Sequence, residues 1–344
     1  MYNITVLGAG YMGSAITFPL ARNNNKVNLW GTWLDDGIIE ECISGRHPKL
    51  KEPLPSSVDL FYSGELEEAL KDADIVFIGI SSEGFLPVFK KLLEVLDHNI
   101  YIYTLTKGFI DDNGAIKRTS IVAKELLDNK FSGDPFLWTS IGGPVKALEI
   151  CRSIPTVSVY ATHSEKMAEM TTNFSTDYYK IIHTRDITGV ELSADFKNVY
   201  ATGMGIIDGL YGPEMAGNYH NFSSLIFNQS ILEISEIVAA EGGEKVTVFD
   251  NAGIGDLYTT SQSGRNRKFG ELIGRGRPPG QAYREMFEEG ELAEGYHTLK
   301  LGRSWLQNNH SSLLKKLPLF NIIYSIIFEE MDPLKELAGL LQRL

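Results

Sequence analysis

Short apolar runs alternate with amphipathic stretches through the first half of the chain. "NITVL" (3–7), "KVNLW" (26–30), "DIVFIGI" (74–80), "NIYIYTL" (99–105), "FLWTSIG" (136–142) and "PTVSVYAT" (155–162) are four- to eight-residue runs rich in β-branched and aromatic residues, and "YKIIHTR" (179–185) adds one more candidate. Such runs read as strands buried on both faces. Between them, "YMGSAITFPLARN", "LEEALKDA" and "LPVFKKLLEVL" space their apolar residues three and four apart, as helices do. Strand-helix alternation predicts a parallel sheet covered by helices on both faces. From about residue 187 the two-residue period disappears. "GVELSADFKNVYATGMGIIDGL", "NFSSLIFNQSILEISEIVAAEG", "NRKFGELIGRG" and "PGQAYREMFEEG" all carry helical spacing, and "LPLFNIIYSIIF" (317–328) reads as a buried helix too short to span a bilayer. The expected fold is therefore an α/β, Rossmann-type doubly wound domain over residues 1–186. A mostly α-helical domain follows over 187–344.

Length agrees with this division, because 344 residues suffice for two separate cores. The formal net charge of -12 argues against duplex nucleic acid or an anionic membrane as the main partner, since both select positive fields. Cys42 and Cys151 form no C-x-x-C pair, which suggests a reducing compartment. The chain opens directly into an apolar strand-like run without a charged leader, so a cytoplasmic protein is expected. The seven histidines include no i, i+4 pair, and no metal site is expected.

Candidate chemistry starts in "VLGAGYMGSA". Gly8, Gly10 and Gly13 have G-x-G-x-x-G spacing between a strand and a helix, the arrangement that turns tightly, admits a diphosphate and lets helix and strand pack closely. The second strand ends in "LWGTW", with Gly31 and Thr32 where an acid would bind the NAD ribose or an arginine the NADP phosphate. Asp35 and Asp36 lie further on and read equally well as solvated loop charges. The choice between NAD and NADP stays open. Later, "NAGIGDLYTTSQSGRNRKFG" gathers hydroxyls, an amide and two guanidiniums behind flexible backbone. Arg265 offers a donor fork suited to a phosphate, Asn266 adds an amide, and Arg267 reads as facing water. Asp256 also reads as a helix N-cap. Lys197 sits on a helix whose neighbouring positions are Ser193, Ala194, Tyr200 and Ala201, a mostly compact face. A positioned ammonium that can yield its proton suits hydride addition to a ketone. Lys107 follows a strand at its carboxyl end, where ligands bind in open α/β sheets.

Five segments in order, "TLTKGF", "IGGPVKALE", "VELSADFKNVYATGMGIIDGL", "GIGDLYTTSQSGRNRKFG" and "AEGYHTL", make the chain resemble the NAD(P)-dependent glycerol-3-phosphate dehydrogenases over nearly its whole length. "GAGYMGSA" and "LWGT" look closest to the prokaryotic, including archaeal, branch. The resemblance implies interconversion of dihydroxyacetone phosphate and sn-glycerol 3-phosphate with NAD or NADP, feeding glycerophospholipid synthesis. It implies Lys197 as general acid in reduction and general base in oxidation, Lys107 in contact with substrate and cofactor, and Asp256 in support of the lysines. Arg265 and Asn266 would hold the phosphate, with Gly143 and Gly264 at the substrate. Gly8, Gly10, Tyr11, Met12, Gly13, Thr32, Lys107, Ala147, Arg265 and Glu294 match cofactor positions. The implied partners are a small phosphorylated substrate and a second copy in a homodimer, with no nucleic acid and no membrane span. Asp195, Val145 and Lys146 depart from the usual family residues.

Overall fold

The computed structural model describes residues 1–215 and 219–343, which divide into two compact units, Met1–Ile187 and Thr188–Leu344. The first unit is built on ten strands: β1 (Asn3–Leu7), β2 (Lys26–Trp30), β3 (Val58–Phe61), β4 (Ile75–Ile78), β5 (Tyr101–Thr104), β6 (Ile110–Asp112), β7 (Ala115–Lys117), β8 (Trp138–Gly142), β9 (Thr156–Ala161) and β10 (Tyr179–Thr184). Eight form one sheet in the order β10-β9-β8-β5-β4-β1-β2-β3, and β6 and β7 make a separate hairpin. The expected parallel sheet is present, with one departure. β9 runs antiparallel to β8, pairing Ser140 with Ala161 and Gly142 with Val159, and β10 then follows β9 in parallel. Strand-helix alternation predicts parallel neighbours in general but does not fix the direction of each strand. Central strands are buried beyond their first residues, with Val6, Phe77 and Tyr103 in the core.

This strand order has its switch point at β1 and β4. Strands β2 and β3 lie on one side of β1, and the chain then crosses to place β4 on the other. Ligands of open α/β sheets bind in the crevice beyond the carboxyl ends at such a point.

The second unit is helical among its described residues. The helix Ile187–Met215 is crossed by Arg265–Gly274 at backbone contact. A Cβ on Gly205 would lie 2.1 Å from the Arg267 carbonyl oxygen, and one on Gly209 would lie 2.2 Å from that of Glu271. Reciprocally, a Cβ on Gly270 or Gly274 would lie 2.1 Å from the carbonyl oxygen of Thr202 or Ile206. Two i, i+4 glycine pairs therefore interlock, and no side chain separates the helices. Elsewhere in this unit Glu233, buried on the helix His220–Ala240, accepts from Tyr200 Oη at 2.9 Å and Gln229 Nε2 at 2.9 Å. It also accepts from the backbone N–H groups of Leu319 at 2.7 Å and Phe320 at 2.8 Å. These last two open the helix Pro318–Phe328, whose first N–H groups have no carbonyl behind them. Burial pushes the Glu233 carboxyl up from its ordinary range. No helix among the described residues is long and apolar enough to cross a membrane.

Candidate active site

In the sheet unit, the turn after β1 has the geometry that a dinucleotide needs. Gly8 sits at φ +100°, and a Cβ there would meet the Gly79 carbonyl oxygen at 2.8 Å. A Cβ on Gly13 would meet the Gly8 carbonyl oxygen at 2.0 Å, so the helix Tyr11–Arg22 packs onto the turn only because that side chain is missing. Gly10 differs. Nothing lies within 4 Å of where its Cβ would be, so the protein's own packing does not call for glycine there. A diphosphate brought against the backbone would call for it, and the helix that starts at Tyr11 has first-turn N–H groups of the kind such a group takes. The residues fit a dinucleotide.

Around this turn the structure corrects one expectation. Asp35 and Asp36 are not solvated loop charges. Asp35 Oδ2 accepts from the N–H groups of Ala9 and Thr32 and from the Thr32 hydroxyl, and Asp36 accepts from the Ser63 N–H at 2.8 Å and hydroxyl at 2.9 Å. Lys107 lies half-buried just past β5, behind Thr106, whose hydroxyl donates to the Ile80 carbonyl at 2.9 Å. Gly143, at φ +102°, follows β8, and Ala147 begins the helix Ala147–Cys151.

In the helical unit, Lys197 and Asp256 form an ion pair from elements 59 residues apart. Both are buried, with 6% and 1% of their surface exposed. Ser193, Ala194, Tyr200 and Ala201 around the lysine are all buried, so the compact face is packed rather than solvated. Asp256 is not the cap of its helix. The cap position belongs to Gly255, at the end of a π-helical turn Asn251–Gly255, and the Asp256 carboxylate meets the lysine. Such π turns often mark sites where a side chain must be re-aimed.

Next to the pair, four polar side chains make a continuous chain of contacts across three helices. Asn266 Nδ2 donates to Asn198 Oδ1 at 2.8 Å, and Asn266 Oδ1 accepts the Gly295 N–H at 2.8 Å. Asn198 Nδ2 donates to Glu294 Oε2 at 3.3 Å, and Arg265 donates to Glu294 Oε1 at 3.0 Å. Asn266 and Asn198 are buried, whereas the Arg265 and Glu294 side chains are 45% and 40% exposed and can meet a ligand. Gly264, at φ +127°, turns the chain into the Arg265 helix. Arg267 is partly exposed, but it is paired rather than simply solvated. It pairs with Asp208 and donates to the Gln262 carbonyl, while Asp208 accepts from Tyr219 Oη at 2.7 Å. The roles of Asn198 in this network and of Glu233 beneath Tyr200 were missed by sequence reasoning. Only the adjacency of Asn198 to Lys197 pointed at the first, and nothing in the spacing pointed at the second. No cluster of three metal-ligating side chains occurs among the described residues.

A doubly wound sheet with a glycine turn at its switch point, followed by a helical unit holding a buried lysine-aspartate pair, defines a two-domain nicotinamide-dependent dehydrogenase. Family models for the N- and C-terminal regions of NAD-dependent glycerol-3-phosphate dehydrogenase match residues 3–168 and 186–338. The chain is 33% identical to the NADP-dependent glycerol-3-phosphate dehydrogenase of Archaeoglobus fulgidus, with 95% of each chain covered. It is equally 33% identical to an NAD(P)-dependent glycerol-3-phosphate dehydrogenase of Thermoanaerobacter sp., over 99% of this chain and 97% of that one. The crystal structure of the glycerol-3-phosphate dehydrogenase of Coxiella burnetii superposes with a TM-score of 0.83 at 25% identity, covering 99% of both chains. The chain belongs to the NAD-dependent glycerol-3-phosphate dehydrogenase family.

Proposed function

We propose that the protein reduces dihydroxyacetone phosphate to sn-glycerol 3-phosphate, and reverses the reaction, with Lys197 as proton donor and acceptor. The observation that carries this is the buried Lys197–Asp256 pair. A nicotinamide dinucleotide, when bound, supplies the hydride. The residues supply the rest. As negative charge gathers on the carbonyl oxygen, the Lys197 ammonium is the group to neutralise it and release a proton. The Asp256 carboxylate holds Nζ in one place against a packed helix face, so no reorganisation is needed when charge develops. Arg265 carries N–H donors on an exposed guanidinium, and a substrate phosphate competes with Glu294 for them. Asn266 has both amide atoms engaged to Asn198 and Gly295, so its part is first to set the start of the Arg265 helix and then to offer its remaining N–H to the phosphate. Lys107 at the carboxyl end of β5 and the turn Gly8–Gly13 are the proposed contacts of the sheet unit. The free thiols Cys42 and Cys151 suit a reducing compartment, and a cytoplasmic homodimer is the proposed form.

The test is oxidation of NADH and NADPH with dihydroxyacetone phosphate, set against a panel of ketoacids. Lys197→Ala is expected to bind cofactor nearly as wild type and to lose turnover by roughly 10²-fold or more. Turnover near wild type in that variant would move the proton donor elsewhere, with Lys107 the first residue to examine. A ketoacid turned over faster than dihydroxyacetone phosphate would replace the substrate assignment.

A further inference from the structure

Both backbone polar groups of one residue in the glycine turn, Ala9, are held by side chains from other parts of the sheet unit. The Ala9 N–H donates to Asp35 Oδ2 at 3.2 Å, and the Ala9 carbonyl meets His47 Nε2 at 3.1 Å. Neither holder is free to drift. The same Asp35 oxygen accepts from the Thr32 N–H at 3.0 Å and the Thr32 hydroxyl at 2.8 Å. His47 is fully buried, and its Nδ1 lies 3.1 Å from the backbone nitrogens of both Lys49 and Leu50. Two N–H groups directed at Nδ1 make that nitrogen an acceptor. Nε2 therefore carries the ring proton and donates it to the Ala9 carbonyl.

Ala9 lies between Gly8 and Gly10, where the backbone has more conformational freedom than anywhere else in the turn. The same stretch must present the N–H groups at the helix start in a single geometry. Rotating either of the peptides that flank Ala9 re-aims the N–H groups that follow. We propose that Asp35 and His47 clamp the two peptide groups that flank the Ala9 Cα, as positioning residues that pre-set the turn for the dinucleotide, and that Asp35 does not choose between NAD and NADP. This rests on the dinucleotide reading of the turn. It runs against the usual role of an acid near the end of the second strand, which is to accept from the ribose 2′-hydroxyl. Here three donors from the protein already converge on one carboxylate oxygen, one of them from the turn itself. An anchor made before the ligand arrives lowers the ordering cost of binding.

Equilibrium binding of NADH and NADPH, followed by nucleotide fluorescence on the full chain, separates the possibilities, with thermal melting recorded for each variant. Asp35→Ala is expected to weaken both nucleotides by the same factor, about tenfold, because the backbone loses one charge-assisted anchor. Asp35→Asn keeps an oxygen facing Ala9 and Thr32 and is expected to bind both within about twofold of wild type, since the anchoring geometry survives. His47→Gln retains one donor and one acceptor and should fall between wild type and Asp35→Ala for both nucleotides. Wild-type affinity in Asp35→Ala would overturn the clamp. So would an Asp35→Asn protein whose NADH to NADPH ratio moves by tenfold or more (about 1.4 kcal/mol), which would make Asp35 a ribose reader. A wild-type chain that binds neither nucleotide overturns the proposed function itself, and is distinguished by needing no variant.

Discussion

Replacing Asp256 by Asn tests whether the buried pair is as important to the fold as to the chemistry. With Lys197 at 6% exposure and Asp256 at 1%, neither charge can exchange its partner for water. Removing one member of a buried ion pair costs about 3–5 kcal/mol, because the other is left buried and unpaired. Asn still turns an oxygen towards Nζ, which places the loss near 3 kcal/mol. In a unit the size of Thr188–Leu344 each kcal/mol moves the melting temperature by about 2–4 °C, so a fall of roughly 6–12 °C is expected for the helical unit. Calorimetry and urea unfolding on Asp256→Asn give the first number. A double-mutant cycle on Lys197→Met and Asp256→Leu gives the second. Apolar replacement of both partners is often neutral or stabilising, so the double variant should recover most of what either single variant loses, with a coupling of about 2 kcal/mol or more. The double variant should nonetheless be inactive, which separates stability from catalysis. A fall of less than about 2 °C in Asp256→Asn, or single losses that simply add, would refute the claim that the pair holds this part of the helical unit together.

Arg265→Ala should lower kcat/KM for dihydroxyacetone phosphate by roughly one to three orders of magnitude while barely changing the poor rate with unphosphorylated dihydroxyacetone. Equal losses on both ketones would assign Arg265 to the cofactor or the fold instead. Burial holds His47 below its ordinary 6.5, so the folded state favours the neutral ring. Its contribution to stability is therefore complete above pH 6.5 and is lost as pH falls from there towards the lowered folded value. Lys49 adds to the lowering, whereas Asp35, Glu41 and the Ala9 carbonyl oppose it. Urea midpoints at pH 7.5, 6.5 and 5.5 should drop more steeply for wild type than for His47→Gln, and parallel slopes would count against the assignment. Gly270→Ala places a methyl against the Thr202 carbonyl and should destabilise by about 3 kcal/mol in urea unfolding, with loss of both folding yield and activity.

The strand-helix alternation of the first half and the helical period of the second were plain in the chain, because buried parallel strands are continuously apolar and helices are not. What escaped was short or non-local. β3 is the four-residue "VDLF", with the polar Asp59 in its middle, and it earned no period of its own. The reversal of β9 depends on how the chain returns after β8, which no local pattern encodes. Lys197, Asp256, Arg265 and Asn266 were visible as residue types that fit the chemistry, and the structure brings the first two together and joins the last two through Glu294 and Asn198. The role of Asp35 stayed open because its contact with the glycine turn, through Ala9, spans 26 residues, and Arg267 read as facing water because Asp208 is 59 residues away. Pairings over such distances are made by tertiary packing alone.

The four interlocked glycines of the helical unit give the two helices that carry the proposed site the character of a ruler. Lys197 rides on one helix, and Arg265 and Asn266 open the other. Because carbonyl oxygens stand where methyl groups would have to go at Gly205, Gly209, Gly270 and Gly274, the spacing between the helix of the proposed proton donor and the helix of the proposed anion anchor is graduated in backbone atoms rather than in side chains. Side-chain drift, rotamer by rotamer, cannot stretch it. A substrate longer or shorter than the span between a reducible carbon and its phosphate must then be accommodated by changing the residues at the ends of the ruler, since its length is not open to gradual revision.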